Sequence, residues 1–220
     1  MIKGFIFDLD GVLVDTAQYH FQAWKKLAAE LGFELSEKRN EELKGVSRRE
    51  SLEKILQWGN ISLSENDILE HMQRKNEWYL ELIKQVKPDD YLPGAKKFLQ
   101  EARKLKLKIG LGSASKNARP ILDNLSFTPY FDALIDGNSI TRSKPDPQVF
   151  ELGAREMDLE PGCIVVFEDA IAGIEAALKG GFKAVGIGSP KVLKKAHLCA
   201  PSLAHFTPAE VLNQLNLKKV

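Results

Sequence analysis

The run Phe5-Ile-Phe-Asp-Leu-Asp-Gly-Val-Leu-Val-Asp-Thr16 constrains this chain more than any other stretch. The segment that leads into it, Ile2 to Phe7, is apolar nearly throughout, as expected of a short parallel strand covered on both faces. Two carboxylates follow at once, Asp8 and Asp10, with Gly11 close behind. Side chains alternate along a strand, so this spacing lets both project the same way from its carboxyl end. In an open α/β sheet that end is where ligands bind. Two carboxylates about 6–7 Å apart repel each other unless a cation lies near or one carries a proton. An Asp-rich turn would account for the local pattern too, because Asp and Gly favour turns. The rest of the chain has to decide.

After Thr16 the apolar spacing becomes helical. Ala17, His20, Trp24, Leu27, Ala28 and Leu31 form one stripe, which Gly32 ends. Arg48, Leu52, Ile55 and Leu56 form a second, with Ser47 placed as cap and Gly59 as terminator. Ser64 caps a third, along which Ile68, Met72, Lys75, Tyr79, Leu82 and Val86 share a face. Strand-like sequence resumes only later. The pattern predicts an all-helical insert at residues 16–91 within an α/β core made of residues 1–15 and 92–220. Lys87 to Gly94, which holds two prolines, is the return linker, and two single linkers permit hinge motion.

The core then alternates. A helix over 94–105 leads to a strand over 107–112, and Ser113-Ala-Ser-Lys-Asn117 opens the next helix, with Pro120 in its first turn. A short strand over 131–135 precedes the loop Arg142-Ser-Lys-Pro-Asp-Pro147, with Asp146 as cap and Pro147 as first helical residue. Cys163 to Phe167 is a buried strand that runs into Glu168-Asp169. A helix over 170–179, ended by Gly180-Gly181, a strand over 184–187 and a closing helix from Pro208 complete the chain. Strands alternating with helices predict a parallel, doubly wound, Rossmann-like sheet.

Four polar clusters then fall at one edge of that sheet: Asp8/Asp10, Ser113 to Asn117, Lys144 and Glu168/Asp169. Singly they read as helix caps, a solvated lysine and a capped helix start. Together they are complementary. Carboxylates from two strands make a hard-oxygen site suited to Mg2+. A serine hydroxyl, a helix amino terminus and Lys144 supply donors and positive charge for a phosphoryl group. Glu168 and Asp169 are adjacent, so both reach one metal only if the chain bends between them.

Phe-Asp-Leu-Asp-Gly-Val-Leu-Val-Asp-Thr resembles the opening motif of the haloacid dehalogenase superfamily of phosphotransferases, and the order of the four clusters resembles that superfamily's motifs. The resemblance implies that Asp8 is the nucleophile that takes the phosphoryl group and Asp10 the general acid/base. It implies that Ser113 and Lys144 hold the transferring phosphoryl, while Asp8, the Asp10 carbonyl, Glu168 and Asp169 surround Mg2+. These roles suit phosphoryl transfer, where positioning and electrostatics account for most of the catalysis.

In the insert, His20, Arg48 and Lys75 fall in phase with apolar stripes, where a charged group is expensive unless paired or snorkelling. Three on three helices suit a polar pocket facing the core. Here Thr16 with His20 and Trp24, Leu43-Lys-Gly-Val-Ser-Arg48, Lys75 with Tyr79, and Ser113 to Asn117 resemble the β-phosphoglucomutase family within that superfamily, over nearly the whole chain. The resemblance implies that Arg48 grips the non-transferring phosphate of a sugar bisphosphate. Gly45, Val46, Ser115, Lys116 and Asn117 would contact the sugar phosphate, with Trp24 in the same substrate set, and Thr16, His20 and Lys75 would couple lid closure to Asp10. The implied reaction interconverts β-glucose 1-phosphate and glucose 6-phosphate through β-glucose 1,6-bisphosphate and an aspartyl phosphate.

Other readings stay open at this point. A sugar-phosphate phosphatase of the same superfamily would make the same intermediate and discharge it to water. A receiver-type phosphoacceptor module also gathers Asp residues at strand ends, but needs neither Asp10 nor a helical lid. A non-catalytic phospho-sugar binder would keep Arg48 without needing Asp8. The charge balance, 31 basic against 30 acidic residues, gives no reason to expect nucleic acid or an anionic membrane as partner. No apolar stretch has the length of a membrane span and no signal-peptide pattern opens the chain. Cys163 and Cys199 lack metal-type spacing and read as buried thiols of a cytoplasmic protein. A monomer acting on small sugar phosphates is the expectation.

Overall fold

A computed structural model describes residues 1–87 and 89–217; Pro88 of the return linker and the last three residues of the closing segment lie outside it. Its centre is β1 (Gly4–Phe7), buried at all four positions. β1 pairs in parallel with β2 (Lys108–Gly112) on one side and β4 (Ile164–Glu168) on the other. β3 (Ala133–Ile135) flanks β2, and β5 (Lys183–Ile187) and β6 (Leu198–Ala200) extend the sheet beyond β4, giving the order β3-β2-β1-β4-β5-β6. The chain steps outward from β1 to β3 and then crosses back to β4, so strand order reverses between β1 and β4. A crevice opens there beyond the carboxyl ends of the strands.

The continuously apolar strands follow from having helices on both faces. Phe5 and Phe7 join a cluster with Phe98 of α5 (Ala95–Lys104), Ile121 of α6 (Ala118–Asn124) and Val211 of α9 (Pro208–Leu217). Ile6, one residue out of phase, joins Phe150 of α7 (Gln148–Glu156) and Ile174 of α8 (Ile171–Lys179) on the opposite face. Phe7 is in register with Phe167, and their rings stack with centroids 4.7 Å apart. Truncating one such ring to Ala would cost about 3–5 kcal/mol. The register matters for chemistry: it sets Asp8 level with Glu168.

Between β1 and α5 the described chain is helical: α1 (Ala17–Glu30), α2 (Glu37–Glu41), α3 (Arg48–Gly59) and α4 (Glu65–Ile83). Trp24, Leu27, Leu52 and Ile55 form an apolar cluster of the insert's own, while Tyr79 and Ile83 of α4 turn toward the cluster beneath the sheet. Ser47 and Ser64 both close capping boxes, with Glu50 and Asp67 as the reciprocal partners. The two connecting segments touch. Leu92 N donates to Leu13 O at 2.9 Å, and Val14 bridges Tyr91.

Several local expectations need correction. Gly59 is the last helical residue of α3 rather than its terminator; Asn60 takes the left-handed cap at φ 52°. Val86 lies beyond α4 but is buried in the core cluster. Pro147 occupies the N-cap position of α7 and Gln148 is the first helical residue, although Asp146 Oδ1 still accepts from Gln148 N at 3.0 Å. Cys163 precedes β4 in a 3-10 turn, and both cysteines are half-buried free thiols, not fully buried ones. α2 and β6 escaped the sequence reading because Glu-Lys-Arg-Asn-Glu carries no apolar stripe and a three-residue strand carries too few positions for a period.

Candidate active site

The carboxyl ends of β1, β2 and β4 and the inner surface of the insert enclose a cavity of about 680 Å3. Asp8 is the first residue past β1, fixed by its backbone N–H, which donates to Phe167 O at 2.9 Å. Lys144, on the loop after β3, is 1% exposed, and its Nζ lies 2.5 Å from both Asp8 Oδ1 and Glu168 Oε1. Burial alone would strip the proton from such an amine. The Asp8 and Glu168 carboxylates overcome that and hold the Lys144 pKa above its ordinary value. Glu168 is the last residue of β4, and its other oxygen accepts from Ala170 N at 2.9 Å.

The chain does bend after Glu168. Glu168 turns inward to Lys144, whereas Asp169 lines the cavity and packs against the β1 loop. A Cβ on Gly11 would stand 2.2 Å from Asp169 Oδ2, and Gly11 adopts φ +82°. Only glycine serves at that position. Burial, then the charge of Glu168, push the Asp169 pKa well above the usual carboxylate range. Lys44, from the loop between α2 and α3, reaches across from the insert to within 3.5 Å of Asp169 Oδ2.

Asp10 sits in a tight turn closed by Gly11 N donating to Val14 O at 2.8 Å and Val14 N donating to Leu9 O at 3.2 Å. Its carboxyl lines the cavity with Asp8 and accepts a hydrogen bond from Thr16 Oγ1 at the start of α1. Burial, then the neighbouring Asp8 charge, push its pKa up to about 8. That direction favours a carboxyl able to hold a proton much nearer neutral pH than an ordinary aspartate.

The insert presents a different chemistry. Lys75 is 2% exposed, yet its Nζ shares a 2.8 Å hydrogen bond with His20 Nδ1 and lies over the rings of Trp24 and Tyr79 at 4.5 and 4.9 Å. Burial, reinforced by the Arg48 charge, holds Lys75 well below the usual lysine range; burial and then Lys75 do the same for His20. Arg48 opens α3 at the cavity wall. Opposite it, Ser113 Oγ accepts from Ser115 N at 3.1 Å and Ser115 Oγ from Asn117 N at 3.2 Å, so two hydroxyls fix the loop that leads into α6. Asn117 occupies the N-cap of α6, but its side chain makes no cap bond and extends instead to Asn76.

Most of the residues singled out from sequence meet on this cavity: Asp8, Asp10, His20, Trp24, Gly45, Val46, Arg48, Lys75, Ser113, Ser115, Lys116, Asn117 and Asp169. Thr16, Lys144 and Glu168 stand behind the wall: Thr16 bonds Asp10 and Lys144 bonds Asp8, both of which line it, and Glu168 bonds Lys144. Among the described residues no three acidic, imidazole or thiol side chains stand together as a group that could hold a metal ion, and the Lys144 ammonium lies between Asp8 and Glu168. Sequence reasoning missed Lys44 and Asn76. Lys44 sits inside the run Leu43-Lys-Gly-Val-Ser-Arg48, whereas a polar Asn on a helix carries no signal until its neighbours in space are known. Among the described residues no helix is long and apolar enough to cross a membrane.

A family model described as haloacid dehalogenase-like hydrolase matches residues 2–181. The chain is 40% identical over 208 residues to a β-phosphoglucomutase of Bacillus subtilis (strain 168), covering 94% of this chain and 92% of that one. It is 30% identical over 222 residues to a phosphorylated carbohydrates phosphatase of Thermotoga maritima, covering 97% and 98%. In three dimensions it is similar to a β-phosphoglucomutase from Clostridium difficile, with a TM-score of 0.96, 40% identity, and coverage of 99% of this chain and 98% of that one.

Proposed function

This chain belongs to the haloacid dehalogenase-like hydrolase family, and from that premise we propose that it is a β-phosphoglucomutase. The observation that carries this reading is that the cavity has two ends able to hold a phosphate. One is the floor at Asp8 and Lys144; the other is the rim at Arg48, Lys116 and Asn117. A phosphatase that cleaves a sugar monophosphate needs only the first. A sugar bisphosphate needs both.

In this reading Asp8 attacks phosphorus, and the departing sugar oxygen takes the proton held by Asp10. That leaves phospho-Asp8 and a sugar monophosphate, which departs. β-Glucose 1-phosphate then enters with its phosphate at the rim, and its free hydroxyl gives a proton to Asp10 and attacks the phosphorus of phospho-Asp8. This frees the Asp8 carboxylate and makes a bisphosphate that reacts again once its ends have exchanged. Acid and base are the same group, as the two half-reactions require. Lys144 and Ser113 lie beside the nucleophile, so the transferring phosphoryl meets a fixed cation and a hydroxyl without reorganisation. Holding nucleophile and phosphorus in line supplies roughly 7–11 kcal/mol of the barrier reduction.

The family implies a divalent metal. The oxygens present suit one: four carboxylates, Asp8, Asp10, Glu168 and Asp169, gather around Lys144 and Lys44, and three of them have pKa values raised by burial and by one another. We take the ion to be Mg2+, held by Asp8, the Asp10 carbonyl, Glu168 and Asp169. When bound it supplies positive charge against the phosphoryl oxygens.

Residues 16–91 then act as a cap on a core of residues 1–15 and 92–220, hinged where Leu13 and Val14 meet Tyr91 and Leu92. Closure would bring Thr16, His20 and Lys75 to bear on Asp10. One chain holds every group in this scheme, so we propose a monomer working on sugar phosphates in the cytoplasm, a setting that suits the free thiols Cys163 and Cys199. The test is incubation with β-glucose 1-phosphate, Mg2+ and a trace of β-glucose 1,6-bisphosphate. Accumulation of glucose 6-phosphate supports the mutase; release of free phosphate alone makes the chain a sugar-phosphate phosphatase.

A further inference from the structure

Asn76, on α4, is not part of the cavity wall, yet it joins two residues that are. Arg48 Nη2 donates to Asn76 Oδ1 at 2.6 Å, and Asn117 Nδ2 donates to the same oxygen at 2.9 Å. Chemistry fixes the orientation of both amides. A guanidinium has only donors, so the Asn76 atom that faces it is the oxygen, and the Asn117 atom that faces that oxygen is nitrogen. One neutral acceptor thus ties the first residue of α3 to the N-cap of α6, across the seam between the helical insert and the sheet core. On the other rim of the cavity the seam is spanned by Lys44 and Asp169.

The charge state of that joint is unusual. Arg48 has no carboxylate partner, and among the described residues none of its other N–H groups makes a hydrogen bond. An amide oxygen accepts from the guanidinium without cancelling its charge; a carboxylate in the same place would. The joint is therefore held together and left positive, which is the condition for an incoming anion to complete it.

We propose that Asn76 is a positioning residue that holds Arg48 and Asn117 side by side so that a single phosphate of the sugar phosphate bridges insert and core. This rests on the reading of that rim as the seat of the non-transferring phosphate. Asn76 converts occupancy of that seat into closure of the cap.

The test uses the full-length enzyme and two variants, Asn76→Ala and Asn76→Asp. Three readouts are needed: KM and kcat for β-glucose 1-phosphate, calorimetric binding of glucose 6-phosphate, and phosphorylation of Asp8 by acetyl phosphate, which has no distal phosphate. Asn76→Ala is expected to raise KM and the Kd of glucose 6-phosphate about ten-fold, the size of one hydrogen bond to a charged group, with a smaller change in kcat. Phosphorylation by acetyl phosphate stays at the wild-type rate. Asn76→Asp keeps both hydrogen bonds but sets an anion behind the phosphate, so it binds glucose 6-phosphate more weakly than the wild type despite an intact joint. Equal loss of all three activities in Asn76→Ala, or wild-type affinity in Asn76→Asp, overturns the proposal. A wild-type enzyme that binds glucose 6-phosphate yet forms none from β-glucose 1-phosphate sinks the mutase reading instead, and the binding readout still judges Asn76.

Discussion

Lys144 Nζ lies 2.5 Å from Asp8 Oδ1, although 136 residues separate them in the chain. The same nitrogen stands 2.5 Å from Glu168 Oε1. Three ionisable groups from three separate sheet connections thus meet at the point where strand order reverses, nearly without solvent. Lys144 keeps its charge because two carboxylates surround it, and its cation offsets part of the upward push that burial gives the Glu168 pKa.

Removing that cation should be costly. Breaking a buried ion pair by deleting one partner costs about 3–5 kcal/mol, so Lys144→Met should unfold at markedly lower urea than the wild type at neutral pH. The folded Lys144 pKa is raised above its unfolded value of 10.5, so its contribution is fully present below that pH and fades only as pH rises through the higher folded value. In the variant Glu168, whose pKa burial raises, loses the cation that offsets that burial, so the deficit should shrink as pH falls toward the carboxylate range. Urea curves across mildly acidic to neutral pH check both statements. A variant as stable as the wild type contradicts the reading of Lys144 as the charge that holds this floor together.

Lys75 should show the opposite sign. Its folded pKa is well below its unfolded value of 10.5, so between those two values the unfolded chain binds the extra proton and stability rises with pH. Met at this position takes no proton. The stability advantage of wild type over Lys75→Met should therefore grow with pH through the alkaline range up to 10.5, by at most about 1.4 kcal/mol per pH unit. A difference that stays flat from neutral to alkaline pH would mean that the buried amine is charged in the folded protein.

Asp10 should separate transfer to sugar from transfer to water. Asp10→Asn keeps the acceptor for Thr16 Oγ1 but cannot take the proton of an attacking hydroxyl. Positioned proton transfer contributes about 10²–10⁴-fold, so turnover of β-glucose 1-phosphate should fall by at least two orders of magnitude. Slow hydrolysis of phospho-Asp8, measured without sugar, should change far less if Asp10 comes into use, as proposed, only when the cap closes on a sugar phosphate. Equal loss of both rates would place Asp10 in position whether the cap is open or closed.

Much of this arrangement was legible in the chain. Continuous apolar runs ending in Asp8, Ser113 and Glu168 announce strands covered on both faces with chemistry at one edge, because both properties are local to the run. The serine caps of α3 and α4 were legible for the same reason. What could not be read were relationships set by packing. That Lys144 would face Asp8 and Glu168 together depends on strand register, and that Asp169 turns away from Glu168 into the cavity depends on Gly11 making room. Asn76 belongs with these: its importance comes from Arg48 and Asn117, 28 and 41 residues away in sequence. Helix α2 was missed because five polar residues fold there on the strength of the Ser36 cap rather than an apolar face.

The fate of the phosphoryl group on Asp8 tests the account most directly. The wild-type enzyme would be charged with radiolabelled acetyl phosphate in the presence of Mg2+, freed of excess donor, and followed with and without glucose 6-phosphate. The account predicts an acid-stable label on the protein that Asp8→Asn fails to acquire, slow decay in buffer, and rapid decay on adding glucose 6-phosphate with the label recovered in β-glucose 1,6-bisphosphate. Decay at one rate in both conditions, with all label recovered as inorganic phosphate, would contradict it.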